Sequence, residues 1–297
     1  MGDESKAPVK ATLGRRWLIK MVVFIVLLLG LGVWGYVDAT IVYPNRGRQF
    51  ASWAKYQYLL AAKTANDNGV FGAFARNAVT INDPEAEFER LSEPETRQRY
   101  LTDASGEGRS ALAASVDLTR HQWLKGLDRI GELTPEKTAI ESPATELTDL
   151  TNTWSATQAP KELSFYDIPV QWIFTVVGFG GGAWLLIHVL RVASRKYTWD
   201  ESTMTLTLPG GHAVTPDDLE EVDKSRWDKF IVALVIKSGH GTLGGRTVRI
   251  DTYQHADVEP WVLAMEEKAF PDQQESDAGS DAGTDAADAP ADPAPSA

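Results

Sequence analysis

The chain contains no cysteine and only 5 histidines in 297 residues. Disulfides, thiolate nucleophiles and cysteine-based zinc sites are thereby excluded. Positive charge is also short: 29 Lys and Arg stand against 41 Asp and Glu, a formal net charge of -12. Nucleic acid is not an expected partner, because holding a phosphate backbone takes clustered Lys and Arg. A catalytic constellation is lacking as well. Asp117 and His121, four apart on one helix face, supply half a metal site without a third ligand, and read as a helix face or a helix-stabilising pair. Ser238 to Gly245 is Gly-rich but has no phosphate-loop lysine and lies between two strand patterns, so it reads as a hairpin turn. Asp83, Glu85, Glu87 and Glu89 alternate along an expected exposed helix beside Arg90, the pattern of a solvated face rather than of paired catalytic carboxylates. His212, His240 and His255 fall in or beside proposed turns and are expected at the surface. The expectation is a non-enzymatic protein with no catalytic residue, metal or cofactor.

Long apolar runs, by contrast, are present. Pro169 to Leu190 holds no formal charge between Asp167 and Arg191. Some 22 helical residues rise roughly 33 Å, enough for a hydrocarbon core of ~30 Å. Met21 to Val37 is a second uncharged run of 17 residues, extended by Trp17, Leu18 and Ile19 if Lys20 reaches the headgroups. Trp17, Trp34 and Tyr36 suit the two interfaces. A cleaved signal peptide, with Val37 and Ala39 as its small residues, is the rival reading of this run; its length and terminal aromatics favour an anchor. His188 lies one turn from Arg191 and is expected at the headgroups, although an ionisable group in such a helix is a default functional suspect.

Lys and Arg near the membrane ends orient the chain. Lys10, Arg15, Arg16 and Lys20 precede the first run; Arg191, Arg195 and Lys196 follow the second; the intervening segment begins at Asp38 and ends at Asp167. Both termini are then cytoplasmic and residues 38–168 lie outside, in a multi-pass protein of the cell membrane. Gly178 and Gly182 form a GxxxG thickened by Gly180 and Gly181. Such a surface admits another helix closely, either Gly30, Gly32 and Gly35 of the first run or the same helix of a second copy.

Residues 38–168 read as all-helical. Arg46 to Ala65 is the expected first helix, with Phe50, Trp53, Ala54, Leu60 and Ala61 on one face, ended by Asn66-Asp67-Asn68-Gly69. Asp83 with Pro84 starts another, and Ser92 with Glu95 makes a capping box for the next. The longest is expected over Arg109 to Ile130, with a stripe of Leu112, Val116, Thr119, Trp123, Leu127 and Ile130 facing the first helix. Pro143 to Ser155, capped by Ser142 and facing in through Leu147, Leu150 and Trp154, completes a small bundle.

After Lys196 the period becomes two. Thr203 to Leu208, Phe230 to Ile236 and Thr247 to Tyr253 read as strands, with a weaker one over Val214 to Val222 interrupted by Pro216. Asp257 is the expected cap of a closing helix whose Val258, Trp261, Val262, Met265 and Ala269 cover the sheet. The division is a disordered N-terminus (1–15), a first membrane helix (16–37), a helical domain (38–168), a second membrane helix (169–190), a small α+β domain (196–271) and an acidic disordered tail (272–297).

Tyr197-Thr198-Trp199-Asp200, the stretch Val214 to Phe230, and the helix from Glu259 to Met265 resemble the pleckstrin-homology-like domains that some bacterial membrane proteins carry beside a transmembrane helix. The layout is similar to that of uncharacterised bacterial two-pass proteins with such an ending. The resemblance implies a barrel of usually seven strands, of which four or five are legible here. Its implied lipid-binding habit meets an acidic domain, in which Lys224, Arg226, Lys229, Lys237, Arg246 and Arg249 are interleaved with Asp217, Asp218, Glu220, Glu221 and Asp223. The expected function is a membrane scaffold or adaptor joining the outer domain to an inner protein-binding domain. Alternatives are a lipid-facing module and a ligand sensor in the outer bundle. Expected partners are membrane lipids by insertion, a protein, and a second copy through the Gly-rich helix.

Overall fold

The computed structural model describes residues 7–271, and the disorder expected of residues 272–297 lies outside the described residues. The described chain is mostly helical, with a small antiparallel sheet region and two long apolar helices. It divides into two compact units, one of residues 28–181 and one that joins residues up to 27 with those from 182 onward.

The first apolar helix, α1 (Arg15–Val37), does not stop at its polar end. It passes through a π-helical segment, Asp38–Val42, into α2 (Tyr43–Asp67), so that one helix runs unbroken over 53 residues. In place of the expected break before Arg46, the chain accommodates Pro44 in the first turn of α2. Proline lacks an N–H and its ring crowds the preceding turn; the wider turn, closed by the Tyr43 N–H on the Asp38 carbonyl, absorbs the misfit.

In the unit of residues 28–181, α2 packs chiefly on α6 (Arg109–Asp128), with α8 (Pro143–Trp154) as a third member. At 25 residues α2 is longer than α6 with its 20, the reverse of the expectation. The buried face of α2 is also rotated: Phe50, Ala51, Ala54, Tyr58, Leu59, Ala62 and Ala65 are buried, while Leu60 is 39% exposed. Small residues explain the rotation, because they let the helices approach. A Cβ on Gly126 of α6 would already lie 3.1 Å from the Phe50 ring and 3.2 Å from the Ala51 Cα. Tyr58 and Trp123 stack at 5.5 Å in the middle of this core. Leu147 of α8 is buried, and Trp154 donates its Nε1–H to Ser52 at 3.1 Å.

Short helices α3 (Arg76–Val79), α4 (Pro84–Ser92), α5 (Pro94–Ala104) and α7 (Pro135–Thr138) fill the remainder, with α4 and α5 against α6. Asp83 caps α4, its Oδ1 accepting from the Ala86 N–H at 3.1 Å. The expected capping box at Ser92 is not formed. Pro94 holds Glu93 in an extended conformation, so α4 ends at Ser92 and Glu93 takes the N-cap position of α5.

The second apolar helix, α9 (Asp167–Ala193), leads into the β-rich unit. Seven short strands are present among the described residues: β1 (Val9–Lys10), β2 (Thr198–Asp200), β3 (Thr205–Thr207) and β4 (Ala213–Val214) form one antiparallel sheet, and β5 (Leu219–Asp223), β6 (Ile231–Ile236) and β7 (Thr247–Asp251) another. Strands of two or three residues are too short to show an alternation, which is why four or five were legible. The closing helix α10 (Val258–Ala269) buries Val258, Val262 and Met265 against Leu206, Leu219, Leu234, Ile236 and Ile250.

Residues 9–14 depart furthest from expectation. In place of a disordered terminus, Val9 and Lys10 pair with Trp199 and Thr198 as an edge strand. The Ala11 N–H donates to the Tyr197 carbonyl at 2.9 Å and the Gly14 N–H to the Gln254 carbonyl at 2.7 Å. Asp257 does not cap α10 with its side chain. Its carboxylate instead accepts from the Thr12 N–H at 2.7 Å and the Thr12 hydroxyl at 2.6 Å.

Candidate functional site

Three places hold the residues that the sequence singles out: the apolar helices, a polar cluster between α4 and α6, and the loops of the β-rich unit. On α9 the buried positions are Gln171, Thr175, Gly178 and Gly182, followed by half-buried Leu185 and Val189 and buried Val192. Their spacing alternates four and three, the 3.5-residue seam of a helix that coils about a partner. On α1 the buried positions include Trp17, Ile25, Gly32 and Gly35. Within residues 28–181, a Cβ on Gly178 would stand 2.5 Å from the Gly32 Cα and 2.6 Å from the Leu28 carbonyl oxygen; one on Gly35 would stand 2.8 Å from the Gln171 carbonyl oxygen. Gly178 is therefore filled by the first helix of the same chain, and a second copy could use that surface only by displacing it. Trp34 stacks on Phe174 at 6.1 Å beside this contact.

The opposite faces of both helices are uncovered. Val22, Val23, Phe24, Val26 and Leu27 of α1 are exposed, as are Ile173, Val176, Trp184, Ile187 and Leu190 of α9. The basic residues Arg15, Arg16, Lys20, Arg191, Arg195 and Lys196 are exposed too, and all six belong to the β-rich unit. His188 lies between Trp184 and Trp17, with ring centroids 6.1 and 6.2 Å away.

The acidic run of α4 is not simply a solvated face. Glu87 receives a two-toothed contact from Arg90, both bonds 2.8 Å, and a third bond of 2.8 Å from Arg120 of α6. Arg120 also reaches Asp117 at 3.2 Å and the Tyr58 hydroxyl at 3.3 Å. Burial pushes the Glu87 carboxyl up, but bonds from Arg90 and Arg120 outweigh it and hold the pKa below the usual carboxylate range. Burial dominates at Asp117 and Tyr58 and raises both. A carboxylate held ionised by two guanidiniums is a tie between helices rather than an acid–base catalyst. Arg120→Ala is expected to cost about 2 kcal/mol, by leaving Glu87, Asp117 and the Tyr58 hydroxyl without their shared donor. Chemical denaturation followed by circular dichroism measures it, and a loss under about 0.5 kcal/mol would show that water replaces the guanidinium.

Asp117 and His121 are not brought together as ligands. His121 turns away to stack on Phe88 at 5.5 Å and to meet the Ser92 hydroxyl at 3.2 Å. Among the described residues no group of three His, Asp or Glu side chains could hold a metal ion. Ser92 also lines an open cavity of about 730 Å³ with Phe88, Glu89 and Arg90. A hydroxyl beside an imidazole is two-thirds of a nucleophile–base–orienter set, and no carboxylate bonded to the ring completes it among the described residues. The pairing was not legible, because Ser92 is assigned to a cap by its sequence context.

The loop histidines differ from one another. His240 accepts the Leu243 N–H at Nδ1 over 3.1 Å and reaches the Ala213 carbonyl through Nε2 at 3.0 Å, which fixes the neutral Nε2–H tautomer and the turn that holds it. His212 bonds Thr242 at 3.2 Å. His255, expected at the surface, is only 3% exposed. Its ring stands edge-on to Tyr197 at 4.9 Å, and both of its nitrogens are buried without a partner. Burial pushes its pKa down, so the folded unit holds the ring neutral. The unfolded chain then binds the extra proton first. Stability from this site is full above the ordinary histidine pKa of about 6.5 and falls as pH drops from there toward the depressed folded value. His121, lowered by burial and by Arg97 and Lys125, adds a loss of the same sign in the helical unit. His255→Phe is expected to flatten the acid side of the melting curve for the β-rich unit between pH 7.5 and 5 in thermal scans; an unchanged slope would remove His255 as its source.

No family model matches the chain, and neither a curated protein nor a solved structure matches it.

Proposed function

We propose that the chain is a two-pass adaptor of a bacterial cell membrane, with residues 38–168 outside, both termini inside, and protein binding rather than catalysis as its work. The observation that carries this is the surface of α1 and α9. The most apolar stretch of each is only 17% buried, whereas the core helix of a water-soluble protein is mostly covered. Exposed apolar side chains in that number need a hydrocarbon solvent. Pairing of β1 with β2 supports the same topology, since the chain before α1 and the chain after α9 complete one sheet. Several charged groups of the helical unit are tied to one another, as Arg120 is to Glu87 and Arg48 to Glu132, which suits a structural role for those residues.

A pleckstrin-homology-like identity for the inner unit is the finer part of this proposal. It draws support from a four-stranded and a three-stranded antiparallel sheet closed by α10. Its first strand would then be separated from the second by both membrane helices and the whole outer domain.

A chain without cysteine is suited to the test. Single cysteines at exposed Ser105 and Ser202 are expected to differ: an impermeant maleimide labels S105C in intact cells and S202C only after lysis. Equal labelling of both in intact cells would sink the topology. Photo-crosslinkers at the same two positions are expected to trap discrete proteins in the native host, and adducts with lipid alone would overturn the adaptor.

A further inference from the structure

We propose that the cavity beside the start of α1 binds the headgroup of an anionic phospholipid, an inference that rests on the two-pass reading and assigns a ligand to its inner side. The cavity measures about 370 Å³ and is lined by Gly14, Arg15, Arg16, Phe230, Tyr253 and Glu259 among others. Lys20 stands over the Tyr253 ring, its Nζ 5.2 Å from the centroid. Among the described residues none of Arg15, Arg16 and Lys20 is paired with a carboxylate, although all three are exposed. The one acid in the lining, Glu259, is occupied by the Trp227 indole N–H at 2.8 Å.

The walls are built for an amphiphile. Phe230 is 49% exposed and held at φ 58°, in the left-handed region, with its ring 5.3 Å from that of Tyr253. A bulky residue there is strained. Folding tolerates that strain and leaves the ring facing solvent, next to Trp227, itself 37% exposed. The Tyr253 hydroxyl is buried without a hydrogen-bond partner. Two guanidiniums and an ammonium neutralise a phosphate, and aromatic rings suit the depth of the headgroups. Four residues on from Arg15 and Arg16 come Ile19 and Lys20, then exposed Val23, so an acyl chain leaving the cavity meets the apolar flank of α1. A protein ligand would have no use for that continuity.

The full chain is reconstituted in nanodiscs of phosphatidylcholine with a minor share of phosphatidylglycerol, released into mild detergent and weighed intact by native mass spectrometry. The wild type is expected to retain one phosphatidylglycerol. R15Q/R16Q loses that retention by about tenfold, whereas R191Q/R195Q, which removes as much charge outside the cavity, keeps it. Phe230→Gly serves as a variant that folds at least as well, because glycine relieves the left-handed strain, and it is expected to retain less phosphatidylglycerol at an unchanged or raised melting temperature. Equal retention by R15Q/R16Q and wild type, or equal losses in both arginine pairs, overturns the site. Failure to enter the nanodiscs at all overturns the two-pass reading beneath it.

Discussion

Gly178→Leu is expected to separate the two apolar helices, while Gly180→Leu on the same helix changes little. A Cβ at Gly178 meets backbone, the Gly32 Cα at 2.5 Å and the Leu28 carbonyl oxygen at 2.6 Å, and backbone cannot rotate away. At Gly180 a Cβ meets nothing within 4 Å. Overpacking a tight contact costs about 3 kcal/mol when the backbone must shift, and on the two-pass reading, with the helices in lipid, there is no hydrophobic gain to offset it, only lost van der Waals contact. Gly32→Leu should act in the same direction but by less, because a Cβ there meets the Phe179 N at 2.9 Å and the Phe179 ring, which can turn aside, at 3.0 Å. Thermal unfolding in detergent, with crosslinking of cysteines placed on both helices, reads the effect. Equal melting temperatures for the 178 and 180 variants would show that the close approach does not hold the pair.

Removing residues 1–12 is expected to unfold the β-rich unit or leave it open to protease. The segment contributes the β1 pairing with β2, the Ala11 bond to Tyr197 and two bonds from Thr12 to Asp257. At about 1 kcal/mol net for each bond, and more for those to a carboxylate, the loss is about 4 kcal/mol, a large part of the 5–15 kcal/mol that stabilises a typical domain. Trp199 would also lose the neighbour that covers its edge of the sheet. Two milder variants place the effect: Asp257→Asn weakens only the Thr12 clasp, and Gly14→Ala drives a methyl into the Tyr253 carbonyl. Limited proteolysis of the full protein with mapping of the cut sites is the readout. An intact residue 197–270 core in the truncated protein would reduce β1 to an ornament.

The parts of the fold that were legible are those written in long repeats. The apolar runs, the α6 stripe through Val116, Trp123 and Leu127, and the β6 run from Ile231 to Ile236 each repeat a period often enough to be counted. Strands of two residues carry no period, so β1 and β4 were invisible. The rotated face of α2 escaped for a different reason: hydrophobicity ranks Leu60 above Ala62, whereas the close approach of α6 selects the smaller side chain. The seam of α9 could have been found by following Gln171, Thr175, Gly178 and Gly182 as small or polar residues at alternating steps of four and three. Asp257 stands at the N-cap of α10 as expected, but its side chain, like that of Ser92, is taken by a partner outside any sequence window. Thr12 lies 245 residues from Asp257 and Ser92 lies 29 from His121. The cavity residues share no motif, since Arg15 and Phe230 meet only through the fold.

The clasp between Thr12 and Asp257 also sets an order of events during synthesis. The first strand leaves the ribosome long before its partner exists, so it waits as an unpaired edge while both apolar helices and residues 38–168 are made. On the two-pass reading, a chain whose second helix failed to insert would leave Val9 and Trp199 on opposite faces of the bilayer, with no route to each other. Closure of the sheet then acts as a proofreading step. Correctly threaded chains bury their edge, and misthreaded ones present an open strand to the proteases of the cell.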